Sequence, residues 1–191
     1  MKNFFFKAGF SFLFLVLFLP LKVFGEDGRI AELSVVDSQE DILVSARLER
    51  GFHQNFERDI HNGIQKDLFY YVLLKRRQTF WMDEEVLSRT IKHTIKYDIL
   101  KKQYLLITRT EQTPQEQKIE NYEELLRLIS EINNVKITPI SFLDPRETYY
   151  ISVKAEMRAT KLPFYLEYLL FFIPFLELDT PWADSSPFYG H

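Results

Sequence analysis

The strongest constraint in this chain is an alternation of side chains near its C-terminal end. Tyr149, Ile151, Val153, Ala155, Met157 and Ala159 fall on one parity, and Tyr150, Ser152, Lys154, Glu156 and Arg158 on the other. Neighbouring side chains of an extended strand point to opposite faces, so this stretch is a long antiparallel strand with one apolar and one wet face. The same period of two appears over Asp41–Leu48, where Ile42, Val44, Ala46 and Leu48 oppose Leu43, Ser45 and Arg47. Over Asp67–Arg76 both parities are apolar, with Leu68, Tyr70, Val72 and Leu74 against Phe69, Tyr71 and Leu73. A strand of that kind is expected at the centre of a sheet, covered on two sides.

The remaining segments fill in around these strands. Ile30–Val36 is expected to be a first strand, joined to the next by the polar turn Asp37-Ser38-Gln39-Glu40. Past Gly51 the period changes: Phe52, Phe56, Ile60 and Ile64 recur every four residues, predicting about two turns of helix that stop at Asn62-Gly63. Trp81 is expected in a loop with Asp83, Glu84 and Glu85, followed by a hairpin of Val86–Tyr97 and Gln103–Arg109. Residues 110–118 are polar and without period, and read as a loop. Asn121 with Glu124 three residues on predicts a helix start. That helix carries Leu125, Leu126, Leu128, Ile129 and Ile132 on its face and ends near Asn133-Asn134, before a short strand over Val135–Ile140. The fold class expected is α+β: a mainly antiparallel sheet, sandwich-like or strongly curved, with two short helices and an apolar C-terminal segment.

Composition decides the compartment. The chain has 191 residues and no cysteine, which excludes disulfides, thiol nucleophiles and Cys-ligated metals. Eight of its 18 Phe lie within residues 1–25, where a basic start (Lys2, Lys7) leads into an apolar run over Ala8–Leu19 and then Val23-Phe24-Gly25. That order is the pattern of a secretory signal peptide. The organisation expected is a signal peptide over 1–25, a single α+β domain over 26–160, and an apolar aromatic segment and tail over 161–191. The protein is therefore expected to be exported and periplasmic, peripheral on the inner membrane. Loss of residues 1–25 removes three Lys and no acid, taking the formal charge from −3 to −6. An acidic surface does not attract phosphate, so nucleic acid is not an expected partner.

The ordered segments resemble a bacterial family known as domain of unknown function 4390. The residues that carry the resemblance are Ala46-Arg47-Leu48 leading to Gly51-Phe52, then Gly63-Ile64 and the strand ending Leu73-Leu74-Lys75-Arg76-Arg77. Trp81, the Asp83-Glu84 step, Arg89–Tyr97, Tyr97-Asp98 before Gln103-Tyr104, and Lys161-Leu162-Pro163 continue it, over roughly 45–182. The resemblance implies an exported protein of Gram-negative bacteria and points towards envelope signalling. It carries no activity, and no catalytic residue comes with it.

Candidate chemistry is sparse. His53, Glu57 and His61 recur at four-residue spacing, but a helical zinc signature sets two His four apart with a Glu beside the first, so an exposed helix face is the expectation and no metal or cofactor is implied. His93 falls mid-strand between Ile91 and Ile95 and reads as a partly buried His. There is no nucleophile elbow and no phosphate-cradling glycine loop. Two surfaces stand out instead. One is the C-terminal aromatic segment, with Phe164, Tyr165, Tyr168, Phe171, Phe172, Ile173, Phe175 and Trp182 as partner- or membrane-binding residues. Only about ten residues lie between Pro163 and Pro174, roughly 15 Å of helix, short of the ~30 Å hydrocarbon core of a bilayer. The other is a basic face of Lys75, Arg76, Arg77, Lys92 and Lys96. The function expected is a non-catalytic periplasmic interaction module, accessory to envelope or sensor signalling, that contacts an envelope protein or the membrane surface. A second reading is a carrier of an apolar small molecule or lipid, and a third an uncharacterised enzyme.

Overall fold

The computed structural model describes residues 28–38, 40–110, 113–159 and 176–190. Strands β1 (Arg29–Asp37), β2 (Asp41–Glu49) and β7 (Glu131–Pro139) form a three-stranded antiparallel sheet in the order β1-β2-β7. A larger open sheet contains β3 (Lys66–Arg76), β4 (Glu84–Asp98), β5 (Gln103–Arg109), β6 (Gln115–Ile119) and β8 (Thr148–Ala159), in the order β8-β3-β4-β5-β6. The short strands β9 (Leu176–Asp179), β10 (Ala183–Asp184) and β11 (Phe188–Tyr189) all pair with β8. Two helices, α1 (Phe56–His61) and α2 (Tyr122–Ser130), complete the described chain together with a 3-10 turn over Ile140–Phe142. The architecture is the mainly antiparallel α+β fold that the alternation predicts.

The core is built by the parities read from the sequence. Ile42, Val44, Ala46 and Leu48 of β2 face Leu68, Tyr70, Val72 and Leu74 of β3 and Ile151, Val153, Ala155 and Met157 of β8, all buried in one cluster. α1 closes one end by inserting Phe56 and Ile60, both fully buried, and then stops at Asn62-Gly63. Gly63 takes a φ of +84°, and the N–H groups of Gly63 and Ile64 return to Ile60 O and Asp59 O, each at 3.0 Å. That is the paired closure of a helix on a left-handed glycine. At α2 the Asn121 side chain accepts the Glu123 N–H at 2.7 Å, which satisfies one of the unpaired donors of the first turn.

Four expectations need correction. The polar stretch 110–118 is in part a strand: Gln115–Ile119 pairs antiparallel with β5. It is an edge strand that buries only Ile119, so its backbone makes the ladder while its side chains show no period. α2 ends at Ser130, and Glu131 begins β7 at once. Ile132 is buried as a strand residue opposite Ala46, not on the helix face. Glu84 and Glu85 belong to β4 rather than to the preceding loop. Finally, the second face of β3 is only half-buried among the described residues: Phe69 stacks on Tyr71 at 6.1 Å and lies under the cations of Lys92 and Arg158 at 5.2 and 5.5 Å.

The sheet continues past residue 160, because β9–β11 run antiparallel along the outer edge of β8. Pro181 and Pro187, which lack the ladder N–H, fall between these pieces. Side chains bridge the interruptions. Thr180 Oγ1 accepts the buried Ala155 N–H at 2.9 Å, and Ser185 Oγ accepts the Ile151 N–H at 3.0 Å. This cover explains why Ser152, on the nominally wet parity, is fully buried. Replacing Thr180 by the isosteric Val leaves the Ala155 N–H buried without a partner. Thr180→Val is expected to lower the unfolding free energy by about 1–3 kcal/mol, measured by urea denaturation, whereas Ser185→Ala at its more exposed site should cost less.

Candidate functional site

The strand register gives the molecule two distinct ends. Arg76 pairs with Tyr149 and Glu84, so the β3–β4 turn lies beside the start of β8. Lys66 pairs with Ala159 and Ile95, so the opposite end holds the close of β8 and, beyond Asp98, the β4–β5 turn.

The first end presents an apolar tip. Phe80, Trp81 and Met82 are 95%, 81% and 81% exposed at the turn between β3 and β4. Apolar side chains this exposed, three in succession, are uncommon on a surface that meets only water. The tip is braced from beneath. Asp83 accepts the Gln78 N–H at 2.9 Å and the Tyr150 hydroxyl at 2.7 Å, and these bonds hold its carboxyl below the usual carboxylate range. Burial, and then Asp83, push Tyr150 up to about 12. Lys75 lies between the rings of Tyr150 and Trp182, at 5.7 and 5.6 Å.

The opposite end carries the buried polar chemistry. Lys66 is 1% exposed, and its ammonium donates to Asp59 Oδ2 at 3.0 Å and to Glu177 Oε1. His53 Nε2 stands 3.7 Å from both Asp59 Oδ2 and Glu177 Oε2. Among the described residues, His53, Asp59 and Glu177 have ligand atoms mutually close enough to hold a metal. The Lys66 ammonium already lies between the two carboxylates, so the cluster carries its own cation. Removing that cation is expected to be severe. Lys66→Met should destabilise the protein by roughly 3 kcal/mol, because it strands two carboxylates that have lost their partner. Adding Asp59→Asn and Glu177→Gln should restore more than half of the loss, measured by denaturant unfolding.

The helical spacing of His53, Glu57 and His61 does not bring them together. His61 Nε2 and Glu57 Oε1 both meet the Tyr104 hydroxyl, at 2.9 and 3.0 Å, while His53 turns to Asp59 and Glu177. His61 also packs on Tyr97 and Tyr104, with ring centroids 4.2 and 5.6 Å away. Burial and Glu57 raise the Tyr104 phenol, which makes it a hydrogen-bonding strut rather than an acid.

His93 is buried in the core. Its Nδ1 meets Thr108 Oγ1 at 2.9 Å, while Nε2 is buried without a hydrogen-bond partner. Burial lowers its pKa from 6.5 to about 4, so the folded protein holds a neutral ring. Below pH 6.5 the unfolded chain takes up a proton that the folded chain refuses. Stability from this group is therefore complete above pH 6.5 and is lost progressively as pH falls through about 4. The loss amounts to about 3 kcal/mol. In His93→Leu the unfolding free energy should change less over that window, as read from urea titrations at a series of pH values.

The sequence-predicted surfaces are divided by the fold. Of the aromatic set, Phe164, Tyr165, Tyr168, Phe171, Phe172, Ile173 and Phe175 lie outside the described residues, as do residues 1–25. Trp182 is 45% exposed beside Lys75. The five basic residues do not form one patch. Lys75, Arg76 and Arg77 belong to the apolar-tip end, where Arg76 pairs with Glu84. Lys92 is mid-sheet, bound to Asp67 Oδ2 at 2.7 Å, and Thr94 donates to the same carboxylate at 2.7 Å. Lys96 lies towards the opposite end, across from Leu105. Trp81, expected in a loop, is flanked at the tip by Phe80 and Met82, and the signal for this turn in the sequence is the run of three large apolar residues amid Gln, Thr, Asp and Glu.

Among the described residues no helix is long and apolar enough to cross a membrane. Neither curated proteins nor solved structures provide a significant match to this chain. A family model does match, over residues 26–186. The chain, nearly all of it beyond the first 25 residues, belongs to the family described as domain of unknown function DUF4390.

Proposed function

We propose that this protein is a non-catalytic interaction module, exported to the periplasm, that docks on an envelope protein through the β3–β4 tip. The observation that carries this reading is the exposure of Phe80, Trp81 and Met82 on a turn braced by Asp83 and Tyr150. Aromatic anchors that are already ordered lose little freedom on docking, and such residues dominate binding energy at protein interfaces. Charge argues for a protein socket over anionic lipid. Lys75, Arg76 and Arg77 on one side of the tip are matched by Asp83, Glu84 and Glu85 on the other. The apolar segment before residue 176 is a second contact in this reading, since its aromatic residues suit a boundary between water and an apolar partner.

A photo-crosslinking amino acid placed at Trp81 and activated in intact cells tests this directly. The expected result is a discrete adduct with one envelope protein, absent when the probe is moved to exposed Gln117 and lost in Phe80→Asp/Met82→Asp. Those substitutions should leave stability within about 0.5 kcal/mol, because the side chains are exposed. An adduct pattern identical at Trp81 and Gln117, or none at Trp81, overturns the reading.

A further inference from the structure

We infer that the end opposite the Phe80 tip rests on an anionic phospholipid surface, with the β4–β5 turn as its contact. Ile99 and Leu100 are 64% and 95% exposed at this turn, the only large apolar residues between Asp98 and Gln103. The turn is ordered: the Asp98 carboxylate accepts the N–H of Leu100 at 3.1 Å and of Lys101 at 3.0 Å. Residues 96–102 carry three lysines, Lys96, Lys101 and Lys102, against the acid Asp98, 3.7 Å from Lys101, while Glu120 follows Ile119 on the neighbouring strand. A chain of formal charge −3 thus carries an excess of two positive charges within the short segment that holds its exposed Ile-Leu pair. Short apolar side chains that enter the headgroup layer, ringed by lysines that remain in it, are what an anionic bilayer recognises. The balanced charge beside Phe80–Met82 lacks that complement.

The course of the chain brings its first described residue, Gly28, to the same end. Gly28 packs against Leu178 and Gly51, and Leu178 pairs with Met157, two residues from the Ala159–Lys66 pair. The 27 residues that precede Gly28, with the apolar run Ala8–Leu19, therefore join the domain at the β4–β5 end. The inference stands on different residues from the docking reading and does not need it.

The absence of native cysteine makes the test clean. Leu100→Cys and, separately, Trp81→Cys in the full-length chain would carry an environment-sensitive fluorophore. Phosphatidylethanolamine–phosphatidylglycerol vesicles should blue-shift the label at 100 and leave that at 81 unchanged. Lys101→Gln/Lys102→Gln should weaken the vesicle affinity about 25-fold, at about fivefold per lysine, and added salt should weaken it further. No shift at 100, an equal shift on phosphatidylcholine vesicles, or no effect of the lysine pair overturns the inference. A shift at 81 instead would overturn it and also replace the protein socket with lipid at the other tip.

Discussion

The structure depends on β3 being paired along its whole length on both edges. From Lys66 to Arg76 it pairs without interruption with β8 on one side and with β4 on the other, where a single bulge at Val86 shifts the register between Leu74 and Lys75. A strand so placed has no free ladder groups, and its inner parity, Leu68, Tyr70, Val72 and Leu74, is wholly withdrawn from water. Because its two neighbours reverse direction against it, the turn into β4 and the start of β8 must share one end. Lys66 and the close of β8 must share the other. The two-ended layout of the exposed residues follows from that register and not from any separate feature.

β3 also imposes the polar chemistry of the interior. Its first two residues, Lys66 and Asp67, are almost completely buried, and each is compensated by side chains from distant parts of the chain. Lys66 is met by Asp59 from α1 and Glu177 from β9, while Asp67 is met by Lys92 and Thr94 from β4. Buried ions of this kind are poor sources of net stability but punish any arrangement that leaves one unpaired. They specify that α1, β9 and the end of β3 converge, which an apolar contact alone would not require. At the far edge, Thr180 and Ser185 serve β8 in a similar way, each completing a backbone bond where the C-terminal chain cannot continue as a strand.

What was legible in the sequence was whatever buries one face at a fixed period. β2, β8, β5 and the inner parity of β3 follow directly from alternation, and α1 from Phe56 and Ile60 with its stop at Gly63. β6 escaped because an edge strand needs only its backbone, and Gln115 to Lys118 have no buried side to mark. The end of α2 escaped because Ile132 continues the helical spacing while its backbone already pairs with β2. The carboxylate partners of buried Lys66 lie seven and 111 residues away in sequence. No spacing rule connects them, and the regular His53–Glu57–His61 pattern points to a convergence that the fold divides between two neighbourhoods.

Exposure carries the functional argument because burial has accounted for nearly everything else. Several aromatic residues are used structurally, with Phe142 and Tyr189 exposed elsewhere: Tyr70 donates to Ile129 O at 2.7 Å, Tyr104 joins Glu57 and His61, and Tyr149 holds the Asp144 N–H at 3.1 Å. Phe80, Trp81 and Met82 have no such employment, and neither do Ile99 and Leu100. Each group sits on a turn whose backbone is fixed by an aspartate, Asp83 in one case and Asp98 in the other. A turn fixed in this way holds its apolar side chains out in water instead of letting them fold back. That arrangement buries nothing within the chain; in the proposed reading its use lies in what the two tips meet, and the contrast in their local charge suits them to different surfaces.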